Sequence, residues 1–174
     1  QMLTQKGANT SVVGIEGNFD DAQTGVKKMF GDKKFAKELD AMGFQLSSAN
    51  SINIGRLVPQ VVYYVYAYAK LLANGEIAKD EKVNVVVPTG NFGNILAAYF
   101  AKQMGVPFGK LICASNDNKV LYDFFQTGTY DKNREVILTT SPSMAILVSS
   151  NLERLLYLSC GRDAAKTKEL MEQL

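Results

Sequence analysis

The sequence predicts an α/β fold in which a parallel sheet is flanked by helices. Three features carry that expectation. Short β-branched runs alternate with helical patterns, each run ends in a Gly/Asn/Asp/Ser turn, and Val85-Val86-Val87 lacks polar alternation, as a strand covered on both faces does. With 174 residues, 47% of them hydrophobic, the chain can bury a core for one domain or two small ones. In such sheets ligands sit at the carboxyl ends of strands, where turns meet helix N-termini.

The elements follow in order. Ser11-Val-Val-Gly-Ile-Glu16 reads as a strand, followed by the turn Gly17-Asn-Phe-Asp-Asp21 and a helix through Phe30. Lys33 to Met42 reads as a second helix, and Phe44-Gln-Leu-Ser47 as a short extended run. After Ala49-Asn-Ser-Ile-Asn53 a long apolar helix ends near Asn74-Gly75, with Pro59 in its first turn or at a kink. Lys82 to Pro88 is the clearest strand; Thr89-Gly-Asn-Phe-Gly-Asn94 then opens a helix to Met104-Gly105. Lys110 to Ala114 and a helix through Phe125 form another unit, and Glu135 to Thr139 forms the last strand, after which Ser141-Pro142 opens a helix. A domain boundary suits the charged turn between residues 73 and 82.

Composition excludes several chemistries. The chain has no histidine, which removes the Ser-His-Asp triad, a Cys-His pair, HExxH metal sites and imidazole bases from within it. No metal-ligand spacing is present. Nineteen basic against 17 acidic residues give a net charge of +2, with no electrostatic case for nucleic acid or a membrane surface. The longest apolar run, Ile52 to Ala73, contains Asn53, Arg56, Pro59, Gln60 and Lys70, too many polar groups for a membrane span. Cys113 and Cys160 stand apart and read as reduced thiols, which favours a cytoplasmic setting. The lysines between Lys27 and Lys37 interleave with Asp32, Glu38 and Asp40 and read as a solvated face. Tyr63, Tyr64, Tyr66 and Tyr68 run around a helix and read as core and inter-domain packing. Neither end has the look of a natural terminus, so the chain reads as an internal piece of something longer.

Two turns have the make-up of anion sites. In Thr89-Gly-Asn-Phe-Gly-Asn94, unpaired N–H groups meet the positive end of a helix, Gly90 and Gly93 allow close approach, and Asn91 and Asn94 offer amides. The same residues also read as a tight connection with an Asn-capped helix. In Asn50-Ser-Ile-Asn-Ile-Gly-Arg56, Asn50, Ser51 and Asn53 crowd a helix start beside Arg56. That arrangement reads equally as a cap plus an arginine paired to a core carboxylate. Asp20 and Asp21 repel phosphate at the third turn, which reads as structural. No nucleophile or base stands out.

Five motifs in order and spacing resemble the threonine synthase family: Ile15-Glu-Gly-Asn-Phe-Asp-Asp-Ala-Gln23, Asn50 to Arg56, Val87 to Leu96, Ser141-Pro-Ser-Met144 and Ser150-Asn-Leu-Glu-Arg154. Two of them alone suggest only the wider group of pyridoxal-phosphate enzymes with the tryptophan-synthase β-subunit fold, fold type II. The resemblance implies conversion of O-phosphohomoserine and water to threonine and phosphate, with pyridoxal 5'-phosphate as cofactor. It implies that Gly90, Asn91, Phe92, Gly93 and Asn94 cradle the cofactor phosphate and that Asn50, Ser51, Asn53 and Arg56 hold the substrate phosphate. It also implies that residues 1–48 belong to a smaller substrate-side domain and 49–174 to a larger cofactor-binding domain, with the boundary between 48 and 82. The family's Schiff-base lysine and Ser-Gly-Asp-Thr-Gly turn belong before Gln1, so no catalytic residue is assigned here and the isolated chain is expected to be inactive. Its exposed apolar surfaces are expected to drive self-association. Ala145 stands where the family pattern has Asp. Two alternatives remain open: a relative of threonine deaminase or cysteine synthase, and a non-catalytic phosphate-binding domain.

Overall fold

The computed structural model describes residues 7–17, 19–141 and 145–173. The chain divides into two compact units, Gln1–Leu46 and Ser47–Leu174. The charged turn between residues 73 and 82 lies inside the second.

In the first unit α1 (Phe19–Gly31) leads into α2 (Lys33–Ala41). Asp32 caps α2, its carboxylate accepting from Lys34 N at 2.9 Å and Phe35 N at 3.0 Å. The five lysines of these helices are exposed, and Lys34 pairs loosely with Glu38 at 3.9 Å, as a solvated face does. Residues 11–15 and 44–47 are not strands. Their β-branched and apolar side chains find no neighbouring strand among the described residues, and a strand without a ladder leaves its N–H and C=O groups to water. Asn18 and the helix start at Pro142 lie outside the described residues; residues 145–149 are not helical.

In the second unit α3 (Ile54–Leu57) passes through a 3-10 turn at Val58–Gln60 into α4 (Val61–Ala73). Pro59 cannot donate to Gly55, and the helix tightens there instead of running straight. β1 (Val83–Pro88) and β2 (Phe108–Ala114) pair in parallel, connected through α5 (Gly93–Gln103). The register shifts between Val83 and Val85, where Asn84 Oδ1 accepts from Lys110 N at 2.8 Å. Ala97, Ala98 and Ala101 of α5 are wholly buried, and α4 packs close to that small-residue face. Tyr64 and Tyr68 meet Phe108 edge-on at 6.1 Å, whereas Tyr63 and Tyr66 point outward, so half of the expected tyrosine packing is absent from this chain.

The sheet is covered on one face only among the described residues. Val85, Val87, Leu111 and Cys113 join the core beneath α5, but the register partners Val86 and Ile112 are 62% and 41% exposed. The expectation of a strand buried on both faces is corrected accordingly: side chains of a strand alternate, and only one set meets a helix here. A third strand at Glu135–Thr139 does not form either. Asn118 takes its place, donating Nδ2 to Ile137 O at 2.8 Å and accepting from Ile137 N at 2.9 Å, so a side-chain amide satisfies the groups that a ladder would use. Arg134 anchors this segment to Asp123 of α6 (Val120–Thr127) at 2.5 Å and holds that carboxyl below the usual carboxylate range. The helices α7 (Leu152–Ser159) and α8 (Ala164–Glu172) complete the unit.

Candidate anion-binding site

The loop after β1 sits at the carboxyl ends of both strands. Thr89 fixes its base, since its N–H and Oγ1 both donate to Ala114 O at 2.7 Å. Gly90 at φ 43° and Phe92 at φ 63° turn the chain through left-handed conformations into α5. The carbonyls of the loop are taken from the side of residues 149–151: Ser149 Oγ donates to Gly90 O at 3.1 Å, and Asn151 N and Nδ2 donate to Asn91 O at 3.2 and 2.9 Å. The N–H groups of Gly90, Asn91, Gly93, Asn94 and Ile95 have no acceptor among the described residues. Five free donors at a helix start, with no side-chain cap, form a nest for an anion.

The expected donors divide. Phe92 contributes shape alone: its ring is buried, and its N–H donates to Thr89 O at 3.0 Å. The amide of Asn94 is tied elsewhere, accepting from Tyr64 Oη at 2.5 Å and donating one Nδ2 hydrogen to Gln60 Oε1 at 2.9 Å, while its backbone N–H is open. Burial pushes the Tyr64 hydroxyl up to about 12, so it remains a donor. Asn91 Oδ1 is buried without a partner, an acceptor awaiting a donor.

The turn at 50–56 reaches this loop. A Cβ built on Gly93 would stand 2.7 Å from both Cβ and Oγ of Ser51, so only glycine permits the approach. Within the turn, Asn50 Oδ1 accepts from Ser48 Oγ and Ile52 N, at 2.8 and 3.0 Å. Asn53 caps α3, accepting from Gly55 N at 2.9 Å and donating to Ser48 O at 3.1 Å. Its Oδ1 thus serves the cap, while Nδ2 spends one of its two hydrogens on Ser48 O. Arg56 is exposed and pairs with no carboxylate among the described residues, contrary to a core ion pair. Its guanidinium, the Ser51 hydroxyl and Asn50 Nδ2 remain for an anion.

Two residues that composition and spacing do not single out hold the site together. Asn151 is fully buried and donates Nδ2 to Ser51 Oγ at 2.9 Å. Arg154 donates to Ser51 O and Ile52 O, each at 2.6 Å, and to Asn151 Oδ1. The motif Ser150-Asn-Leu-Glu-Arg154 was their only signal, and it carried no role. Cys113, 3.5 Å from Thr89 Oγ1, is pushed up by burial and stays a neutral thiol rather than a nucleophile. Both cysteines are free and half-buried. No group of residues suited to a metal occurs among the described residues, nor is any helix there long and apolar enough to cross a membrane.

No family model matches the chain. It is similar to threonine synthase-like 1 of Macaca fascicularis, 51% identical over 100% of this chain and 24% of that protein. Threonine synthase of Saccharomyces cerevisiae is 44% identical over 90% of this chain and 29% of its own length. The chain thus spans less than a third of these relatives. A crystal structure of PLP-bound threonine synthase from Brucella melitensis superposes with a TM-score of 0.71 and 49% identity, covering 90% of this chain and 32% of that one. Similar in sequence along its length and in fold over nine-tenths of it, the chain belongs to the threonine synthase family, matching one stretch of its members.

Proposed function

We propose that the complete natural protein converts O-phospho-L-homoserine and water to L-threonine and phosphate with pyridoxal 5'-phosphate, and that this chain contributes its two phosphate-binding turns. The observation that carries this reading is the contact at Gly93 between a loop with five free N–H groups and a turn with an unpaired Arg56. The loop fits the cofactor phosphate, because its N–H groups have no acceptor among the described residues, its carbonyls are already bonded, and no side chain caps the helix. Bound, the cofactor supplies an electron sink for the substrate carbons. Gly90, Asn91, Gly93, Asn94 and Ile95 would hold its phosphate through the main chain, with Phe92 packing the loop from beneath. Arg56 would neutralise the substrate phosphate, and Ser51 and Asn50 would orient it. Holding that phosphate so close to the cofactor loop positions it as a leaving group.

A substrate without phosphate, as threonine deaminase or cysteine synthase relatives use, would leave Arg56 without a counter-charge. A non-catalytic phosphate-binding domain has no need of two anion sites in contact. The resemblance puts the cofactor's lysine outside residues 1–174, so the chain expressed alone releases no phosphate. It is also expected to self-associate through apolar side chains such as Val86 and Ile112. We infer a cytoplasmic location, which the unbridged Cys113 and Cys160 support.

The deciding experiment is inorganic phosphate release from O-phosphohomoserine by the complete natural protein loaded with pyridoxal phosphate. Release dependent on both compounds is expected. A folded, cofactor-loaded protein that releases none would overturn the assignment.

A further inference from the structure

The two turns meet at Gly93, but neither holds itself there. The tie is made from outside both, by Asn151 and Arg154 at the start of α7. Asn151 Nδ2 bridges the turns directly, donating to Ser51 Oγ and to Asn91 O, each at 2.9 Å. Arg154 Nη1 donates to Ser51 O and Nη2 to Ile52 O, each at 2.6 Å, and Nη1 also donates to the Oδ1 of Asn151. One guanidinium thus grips two successive carbonyls of the first turn and orients the amide that reaches the second. Arg154 pairs with no carboxylate among the described residues. Its partners are neutral oxygens, so what the position demands is a planar fork with several N–H groups, which lysine lacks.

We propose that Arg154, acting through Asn151 and the backbone of Ser51 and Ile52, is a positioning residue that sets the spacing of the two turns and thereby the affinity for both phosphates at once. This rests on the reading of those turns as the substrate- and cofactor-phosphate sites. Without the fork, two carbonyls lose their donors, the Oδ1 of Asn151 loses the bond that orients its amide, and the first turn drifts from Gly93. Ser51 then no longer faces the substrate phosphate, and Asn91 O, in the loop that bears the cofactor donors, keeps the bond from Asn151 N but loses the fixed one from Nδ2. A second link, Arg56 O to Gln60 Nε2 at 2.7 Å and Gln60 Oε1 to Asn94, keeps the far ends of the turns together, so the loss is partial.

The test uses Arg154→Lys and Arg154→Gln in the complete natural protein. Both variants are expected to raise KM for O-phosphohomoserine and Kd for pyridoxal phosphate in parallel, by about tenfold, with kcat at saturation of both within about twofold. A fall in kcat with both constants unchanged would mean a purely structural role and would overturn the proposal. Wild-type constants in Arg154→Lys would also overturn it, since charge rather than the fork would then suffice. If Arg154→Gln does not fold, Arg154→Lys decides alone. If the wild-type protein binds pyridoxal phosphate but releases no phosphate from O-phosphohomoserine, the functional assignment fails separately. Calorimetric titration with pyridoxal phosphate then still judges the fork: parallel weakening in both variants supports it, and unchanged binding sinks it.

Discussion

The turn at 50–56 and the loop at 89–94 touch at one glycine yet offer an anion opposite things. In the loop the main-chain N–H groups are open, and its side chains are either buried, as Phe92 is, or bonded elsewhere, as Asn94 is. In the turn the N–H groups of Asn50, Ile52, Asn53, Gly55 and Arg56 already have acceptors: Ser48 Oγ, the side chains of Asn50 and Asn53, and the carbonyls of the same two asparagines. What remains there is a guanidinium, a hydroxyl and Nδ2 hydrogens of Asn50 and Asn53. The difference teaches that an asparagine at a helix start is as apt to close a site as to build one. Asn53 in the cap position answers the donors that an anion would use, whereas Phe92 in the corresponding position before α5 cannot. A backbone nest suits a phosphate that stays, and a mobile charged side chain suits one that must enter and leave.

Breaking the contact affects both turns and gives the largest effect. Gly93→Ala places a methyl 2.7 Å from Ser51, and is expected to cost about 1–3 kcal/mol in urea unfolding. It is also expected to weaken both pyridoxal phosphate and O-phosphohomoserine by more than about tenfold, read by cofactor absorbance and by KM. Arg56→Ala should separate the turns: KM for O-phosphohomoserine rises about 10- to 100-fold, while the Kd of pyridoxal phosphate stays put. An equal rise in both constants would show that the two sites are not distinct.

The smallest effect concerns the buried support beneath the loop. Tyr64→Phe leaves Asn94 Oδ1 without its donor, which is expected to cost about 1 kcal/mol near neutral pH. Burial raises the Tyr64 hydroxyl from 10.0 to about 12, so the folded state favours its protonated form. The stability this gives is complete below pH 10 and is lost as pH rises through about 12. Urea midpoints measured across that range should fall more steeply for the wild type than for Tyr64→Phe. Parallel curves would remove Tyr64 from the account.

Much of this was written in local pattern. The strand–turn–helix order around Val83–Pro88 and Phe108–Ala114, the cap at Asp32 and the break at Pro59 each follow from neighbours a few residues apart. So did the choice of Gly90 to Asn94 and Asn50 to Arg56 as turns to watch, and the family itself through five motifs. The β-branched runs at 11–15 and 135–139 form no strand, because such a run specifies extended backbone but not a partner. At Ile137 the partner proved to be the amide of Asn118.

The sequence by itself determined the helices from Phe19 to Gln103, the strand pair at Val83–Pro88 and Phe108–Ala114, and which turns carry anion-binding residue types, because propensity and capping act over a single turn of chain. Only the tertiary structure decided that the side-chain oxygens of Asn53 and Asn94 are taken, that Arg56 meets no carboxylate among the described residues, and that Val86 faces outward. It alone joined Ser51 to Gly93 and set Asn151 and Arg154 between them. A hydrogen bond between residues a hundred positions apart leaves no period or spacing in the chain, since each amide can serve any partner that folding brings within 3 Å or so.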